Sequence, residues 1–245
     1  MPHRIFNCDE VAAYLHLPRA DIERFAKGGE IPCERRGGRL VFQRSEIDAW
    51  ASQRILGLPQ NRLADYHQKA TRATQAALAK DALVAELLPS DYIEPALTAK
   101  TRASVLREMV ALADRTGLVL DARDLQASVE AREALCATAV PGGLALLHAR
   151  HQQPYRFEGS FLVLGRTLQG IHFSAPDGQP TRLFFLICCQ DDRLHLHTLA
   201  RLCLLAVKTE LIAQLLAAPG RDAMHAALVA AEAAVLAGKK AAPAD

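Results

Sequence analysis

Three apolar runs constrain this chain more than any other feature: Gly143-Leu144-Ala145-Leu146-Leu147, Phe161-Leu162-Val163-Leu164 and Arg182-Leu183-Phe184-Phe185-Leu186-Ile187-Cys188. Each has the length and composition of a buried strand, which needs apolar cover. Helical patterns supply that cover. Thr101 to Thr116 repeats Val105, Leu106, Met109, Val110, Leu112 and Ala113 before Gly117 stops it. Asp121 is placed to cap a second helix over about 122–135, and Thr198 to Val207, Glu210 to Leu216 and Ala223 to Leu236 read as further helices. Leu83, Leu87, Leu88 and Ile93 open the apolar face. Helices interleaved with strands, then a run of helices, predict an α/β sandwich over residues 83–238, with 239–245 as a tail. Half of the chain is apolar and 23% is charged, so a sizeable core is expected and disorder is not. No window holds the ~18 apolar residues of a membrane span, and the segment after Met1 lacks a signal-peptide core. A cytoplasmic protein is expected.

The first fifty-five residues have a different rhythm. Asn7 followed by Glu10 marks a helix start, with Val11, Ala12 and Leu15 at helical spacing over about 8–15. Pro18 suits the start of a second helix carrying Ile22, Phe25 and Ala26, which Gly28-Gly29 ends. Gly37-Gly38 between Ile31–Arg36 and Arg39–Gln43 is a hairpin signal. Ser45 is expected to cap a third helix with Ile47 and Trp50 inward. The text "DEVAAYLHLPRADIERFAKGGEIPCERRGGRLVFQRSEIDAW", residues 9–50, resembles the excisionase and MerR-like winged helix-turn-helix family. That resemblance implies a second helix in the DNA major groove and a wing on the backbone or minor groove. The formal net charge of +2 carries no argument for DNA, and residues 1–54 hold nine Lys/Arg against eight Asp/Glu. The wing is different: Arg35, Arg36, Arg39 and Arg44 occur with no acid between them. Together with Arg19, Arg24 and Lys27 of the second helix, they are the candidate DNA contacts. Asp21 and Glu23 are expected to face away from the phosphates. The alternative is a protein-binding winged helix with a solvated basic hairpin.

Gly57-Leu58-Pro59 marks a boundary, and residues 56–82 read as a helical connector whose thin stripe is Leu63, Ala70, Ala77 and Val84. It is either a plain linker helix or a homodimerising one that spaces two DNA-reading heads. The six cysteines (Cys8, Cys33, Cys136, Cys188, Cys189 and Cys203) lack CxxC spacing and read as reduced thiols. A zinc site from Cys188, Cys189, His195 and His197 matches no zinc spacing. Neither a metal nor a cofactor is expected.

Two histidines are placed for chemistry. His148 ends an apolar strand and His195 starts a helix after another, so the two can meet at one sheet edge. Imidazole is a competent nucleophile toward a phosphoryl group, whose charge requires nearby donors and cations. A helix start beside His195, with Arg132 and Arg150, can supply them. Here the chain resembles a phosphotransferase-system enzyme IIA domain of the fructose/mannitol and nitrogen-regulatory type, on "AREALCATAVPGGLALLHAR", "PDGQPTRLFFLIC" and "HLHTLARL". The resemblance implies a mixed sheet between helices and a phosphate-accepting histidine at His148. It implies a second active-site histidine at His195, with His197 the weaker candidate. The family's Arg-Glu pair falls on Arg132 and Glu133, and its small polar loop residue on Thr138. Leu147 stands where the family usually has proline, and Pro141 where it has Gly or Ala.

The whole chain thus reads as multidomain: a winged helix-turn-helix domain over 1–55, a connector, and a IIA-like sandwich. The leading expectation is a DNA-binding regulator that senses or accepts phosphate on His148 from a histidine phosphocarrier protein. The alternatives are a relay that passes phosphate to a IIB domain, and a IIA-like partner-binding module without phosphorylation.

Overall fold

The computed structural model describes residues 5–57, 84–151 and 155–240. Of the connector stripe, Leu63, Ala70 and Ala77 lie outside these residues, and with them the dimerisation reading; Val84 is buried at the start of the C-terminal unit.

The N-terminal unit folds as its punctuation dictates. After a short strand β1 (Ile5–Phe6), Asn7 and Glu10 close a reciprocal capping box at the start of α1 (Cys8–Leu15). Pro18 precedes α2 (Arg19–Lys27), and the left-handed residue that follows is Gly29, with φ of 69°. The hairpin β2 (Glu34–Arg36) and β3 (Arg39–Gln43) turns at Gly37 and Gly38, both at positive φ (57° and 78°), as a tight hairpin requires. Ile31 is not part of β2; it enters the core instead. The helix α3 (Arg44–Leu56) starts one residue before the expected Ser45, with Gln43 as N-cap. The sheet order is β1-β3-β2, and Val11, Leu15, Ile22, Phe25, Phe42 and Ile47 are buried beneath it.

The C-terminal unit opens with one helical turn, α4 (Val84–Leu87), and an edge strand, β4 (Ile93–Leu97). Then come α5 (Arg102–Asp114), α6 (Ala122–Leu135), β5 (Ala139–Val140), β6 (Leu144–His148), β7 (Phe161–Ile171) and β8 (Thr181–Cys188). Three helices end it: α7 (Asp192–Lys208), α8 (Leu211–Ala217) and α9 (Arg221–Lys240). The sheet order is β4-β7-β8-β6-β5; β4 with β7 and β6 with β8 are parallel pairs, the others antiparallel. This is the mixed sheet between helices.

Strand periodicity decides what each face meets. Ala145, Leu147, Phe161, Val163, Phe184 and Leu186 pack with α5 and α6. Leu144, Leu146, Leu162, Leu164, Phe185 and Ile187 pack with α7, α8 and α9, and the N-terminal unit joins that same cluster. His148 follows Leu144 and Leu146 in register, opposite Ile187, so it belongs to the second face. Glu232 of α9 anchors the start of this unit, accepting from Val84 N, Ala85 N and Arg201 Nη1 at 3.0, 2.9 and 2.8 Å. Among the described residues no helix is long and apolar enough to cross a membrane.

Candidate functional site

The site lies at the carboxyl ends of the parallel strands β6 and β8, where open α/β sheets place ligands. His148 is the last residue of β6, and α7 begins just after β8, with Asp191 as its N-cap. His195 sits in the first turn of α7, and its ring centroid is 4.9 Å from that of His148. His197, two residues on, is about 200° around the helix from His195 and is likewise buried.

Three contacts fix His148. Its Nδ1 lies 2.9 Å from the carbonyl oxygen of Leu146, which can only accept, so Nδ1 carries the proton. Nε2 therefore holds the lone pair and accepts from Arg132 Nε at 2.9 Å. His195 covers the third side. Burial, Arg132 and His195 hold His148 well below the usual histidine range. Burial and Arg132 push His195 down to about 3. Both imidazoles are neutral at physiological pH, and a neutral imidazole is the nucleophilic form.

Arg132 is 2% exposed and comes from the last turn of α6. Its Nη1 donates to the Cys136 carbonyl at 3.0 Å, and its buried Nη2 has no hydrogen-bond partner among the described residues. Glu133, beside it, accepts from Thr138 N and Thr138 Oγ1 at 3.1 and 2.7 Å, and Thr138 O accepts from Leu146 N. Thr138 thus ties the α6–β5 loop to the strand that carries His148. Leu147 is buried in the ladder between β5 and β8. The Leu146 carbonyl and Arg132, rather than a preceding proline, set the direction of the imidazole.

Two expectations differ from this arrangement. Arg150 is exposed, and it is its backbone N–H, donating to Ser128, that ties it down. The helix start beside His195 does not offer its Arg193 and Leu194 N–H groups, because Asp191 Oδ1 accepts from both at 2.9 and 3.1 Å. Among the described residues no group of three or more His, Cys, Asp or Glu could hold a metal ion. Cys188 and Cys189 face opposite cores, and burial holds both thiols protonated, Cys189 at about 12.

On the N-terminal unit, α2 and the wing present Arg19, Arg24, Lys27, Arg35, Arg36 and Arg39 as exposed cations. The acids of α2 do not turn away. Glu23 and Asp9 pair with Arg19 at 2.8 and 2.6 Å, Asp21 with Arg24 at 2.8 Å, and Glu34 with Arg36 at 2.8 Å. Arg44 lies elsewhere, half-buried against Asp192 of α7 at 2.5 Å. What the sequence did not signal is that α3 lies on α7. Arg44, Asp48 and Ser52, spaced i, i+4, i+8, face Asp192 and His195, and Ser52 Oγ is 3.3 Å from His195 Nε2. Tyr14 donates to Asp48 at 2.6 Å. Burial and Asp192 hold the Asp48 carboxyl up at about 7.

Comparison with known proteins places both halves. Residues 86–230 match the family described as phosphoenolpyruvate-dependent sugar phosphotransferase system, EIIA 2, and residues 6–55 match a helix-turn-helix domain. The chain is 29% identical over 143 residues to the fructose-specific EIIABC component of Bacillus subtilis, covering 58% of this chain and 22% of that protein. It is 30% identical over 148 residues to the nitrogen regulatory protein of Bradyrhizobium diazoefficiens, covering 59% of this chain and 94% of that protein. The crystal structure of the nitrogen regulatory protein IIA-Ntr from Neisseria meningitidis superposes with a TM-score of 0.54 at 25% identity, covering 60% of this chain and 99% of that one. Mannitol IIA from Escherichia coli, at 18% identity, shares the fold with a TM-score of 0.50 over 57% of this chain and 97% of that one.

Proposed function

The chain belongs to the phosphoenolpyruvate-dependent sugar phosphotransferase system EIIA 2 family, and from that premise we propose that it is a DNA-binding regulator whose C-terminal domain accepts a phosphoryl group on His148. One observation carries the proposal. A neutral imidazole, its Nδ1–H donating to the Leu146 carbonyl, holds the Nε2 lone pair against a buried arginine and beside a second neutral histidine. In the transfer, the Nε2 electron pair forms the new P–N bond while the donor's nitrogen takes back the pair of the bond that breaks. Arg132 offsets the incoming charge, as phosphoryl transfer requires. Thr138 and Glu133 are positioning residues for the loop between Arg132 and the histidine strand.

The partners in this reading are a histidine phosphocarrier protein, DNA and, downstream, a IIB domain or a regulatory protein. The winged hairpin favours the excisionase/MerR-like subtype of DNA reader. The six free cysteines fit a cytoplasmic setting. Incubation with a general histidine phosphocarrier and its donor system is expected to add about one phosphate, roughly 80 Da by intact mass, which His148→Ala abolishes. An unmodified wild-type protein under conditions that label a known IIA domain contradicts the proposal. Loss of the label on adding a IIB domain would mark a relay instead of a sensor.

A further inference from the structure

His148, His195 and Arg132 are each 2% exposed. An acceptor that must meet a phosphoryl donor is therefore closed to solvent, and part of what closes it is the other domain. The stripe Arg44, Asp48, Ser52 of α3 lies along the first turns of α7. Ser52 Oγ stands 3.3 Å from His195 Nε2, while His195 Nδ1 is buried without a hydrogen-bond partner among the described residues. Arg44 clamps the same helix through Asp192, at a site where the two side chains are only 23% and 12% exposed. Trp50, the single tryptophan, lines the cleft along this seam with Arg132, Leu135 and Cys136.

We infer that the helix-turn-helix domain is the gate of the phosphoryl-acceptor site: α3 seated on α7 and phosphate on His148 exclude one another. The inference rests on reading His148 as an acceptor. A phosphoryl group on Nε2 brings negative charge and three acceptor oxygens into a space bounded by Arg132, His195 and Ser52. His195 Nε2 cannot serve Ser52 and that group at once. Opening removes α3 from the site, and phosphate then holds it off. The gate acts on the DNA side as well. In the closed arrangement α2 and the wing stay exposed, so the unphosphorylated protein offers DNA a reader rigidly fixed to its IIA domain, and the phosphorylated one offers a reader released from it.

Potassium phosphoramidate tests this on the full chain without a protein donor. Its P–N bond breaks, ammonia leaves, and the phosphoryl joins an imidazole nitrogen; peptide mapping then gives the rate at each histidine. The clamp reversal Arg44→Glu is expected to speed labelling of His148 roughly tenfold, while exposed His172 is unaffected. Asp192→Arg alone gives the same rise from the other domain. The double variant Arg44→Glu/Asp192→Arg returns the rate toward wild type, which a misfolded domain cannot do. Phosphorylation of the wild type shifts Trp50 emission to the red. Equal His148 rates in wild type and both single variants overturn the gate alone, as does unchanged Trp50 emission at full labelling. No phosphate on His148 in any variant overturns the acceptor reading, and the gate with it.

Discussion

The two halves hold their functional cations in opposite ways. In the IIA half Arg132 is buried, bonded to His148 and to the Cys136 carbonyl, and its direction is fixed. In the helix-turn-helix half Arg19, Arg24 and Arg36 are exposed and paired with neighbouring acids. A buried pair has lost its water, so breaking it is costly. An exposed pair contributes little, so its arginine can exchange a carboxylate for a DNA phosphate at small cost. The same residue type is therefore held fixed beside the candidate acceptor in one half and, in the proposed reading, serves as an adaptable contact in the other. The helix α3 belongs to both, because Arg44 abandons the wing to clamp the IIA half.

The largest test of this contrast compares two ion pairs. Glu232→Ala removes the buried carboxylate that pairs with Arg201 inside the sandwich and is expected to cost about 3–5 kcal/mol in chemical denaturation. Glu34→Ala, which frees exposed Arg36, is expected to change stability by less than about 1 kcal/mol. Similar values for both would break the comparison. Next comes function. Arg132→Ala is expected to slow phosphorylation of His148 by about 10²–10³-fold, and Arg132→Lys to restore it only in part, because Lys lacks the planar fork. By contrast, the triple change Arg35→Ala, Arg36→Ala, Arg39→Ala is expected to weaken DNA binding and lower the slope of log K against log salt by about 3, in a salt series of gel shifts. An unchanged slope would remove the wing from the interface.

A further contrast concerns pH, and here the two halves have opposite signs. His148 and His195 are held low, so below about pH 6.5 the unfolded chain binds protons that the folded one refuses. The IIA half is expected to lose about 1.4 kcal/mol per histidine per pH unit as acid is added. Asp48 is held high, at about 7, among Tyr14, Arg44, Asp191 and Asp192. Its folded form keeps a proton that the unfolded chain sheds above about pH 4, so this contribution falls as pH rises to about 7 and is flat beyond. In denaturant midpoints against pH, His195→Gln is expected to flatten the acid limb and Asp48→Asn the limb toward neutrality.

What was legible in the sequence follows the same divide between local and tertiary signals. The capping box at Asn7, the Gly37-Gly38 hairpin and the apolar strands β6 and β8 write their geometry into neighbouring residues. The meeting of His148 and His195 was legible from strand ends and helix starts. The edge strand β4 was not, because Pro95 interrupts it and only Ile93 and Leu97 are buried. Nor was the full length of β7, whose second half carries the polar, exposed residues of an outer stretch. The role of Arg44 was hidden because a half-buried clamp and a wing contact need the same residue type. Ser52 gave no signal at all: a lone serine in a helix acquires meaning only from the histidine against it.

Hydrogen–deuterium exchange of the full chain, before and after phosphorylation, tests the central claim most directly by following the backbone amides of α3 and the first turns of α7. Faster exchange is expected in both segments once His148 carries phosphate, with α5 on the far face of the sheet unchanged. Identical exchange in α3 and α7 at full phosphorylation would show that the His148 site is not closed by the helix-turn-helix domain.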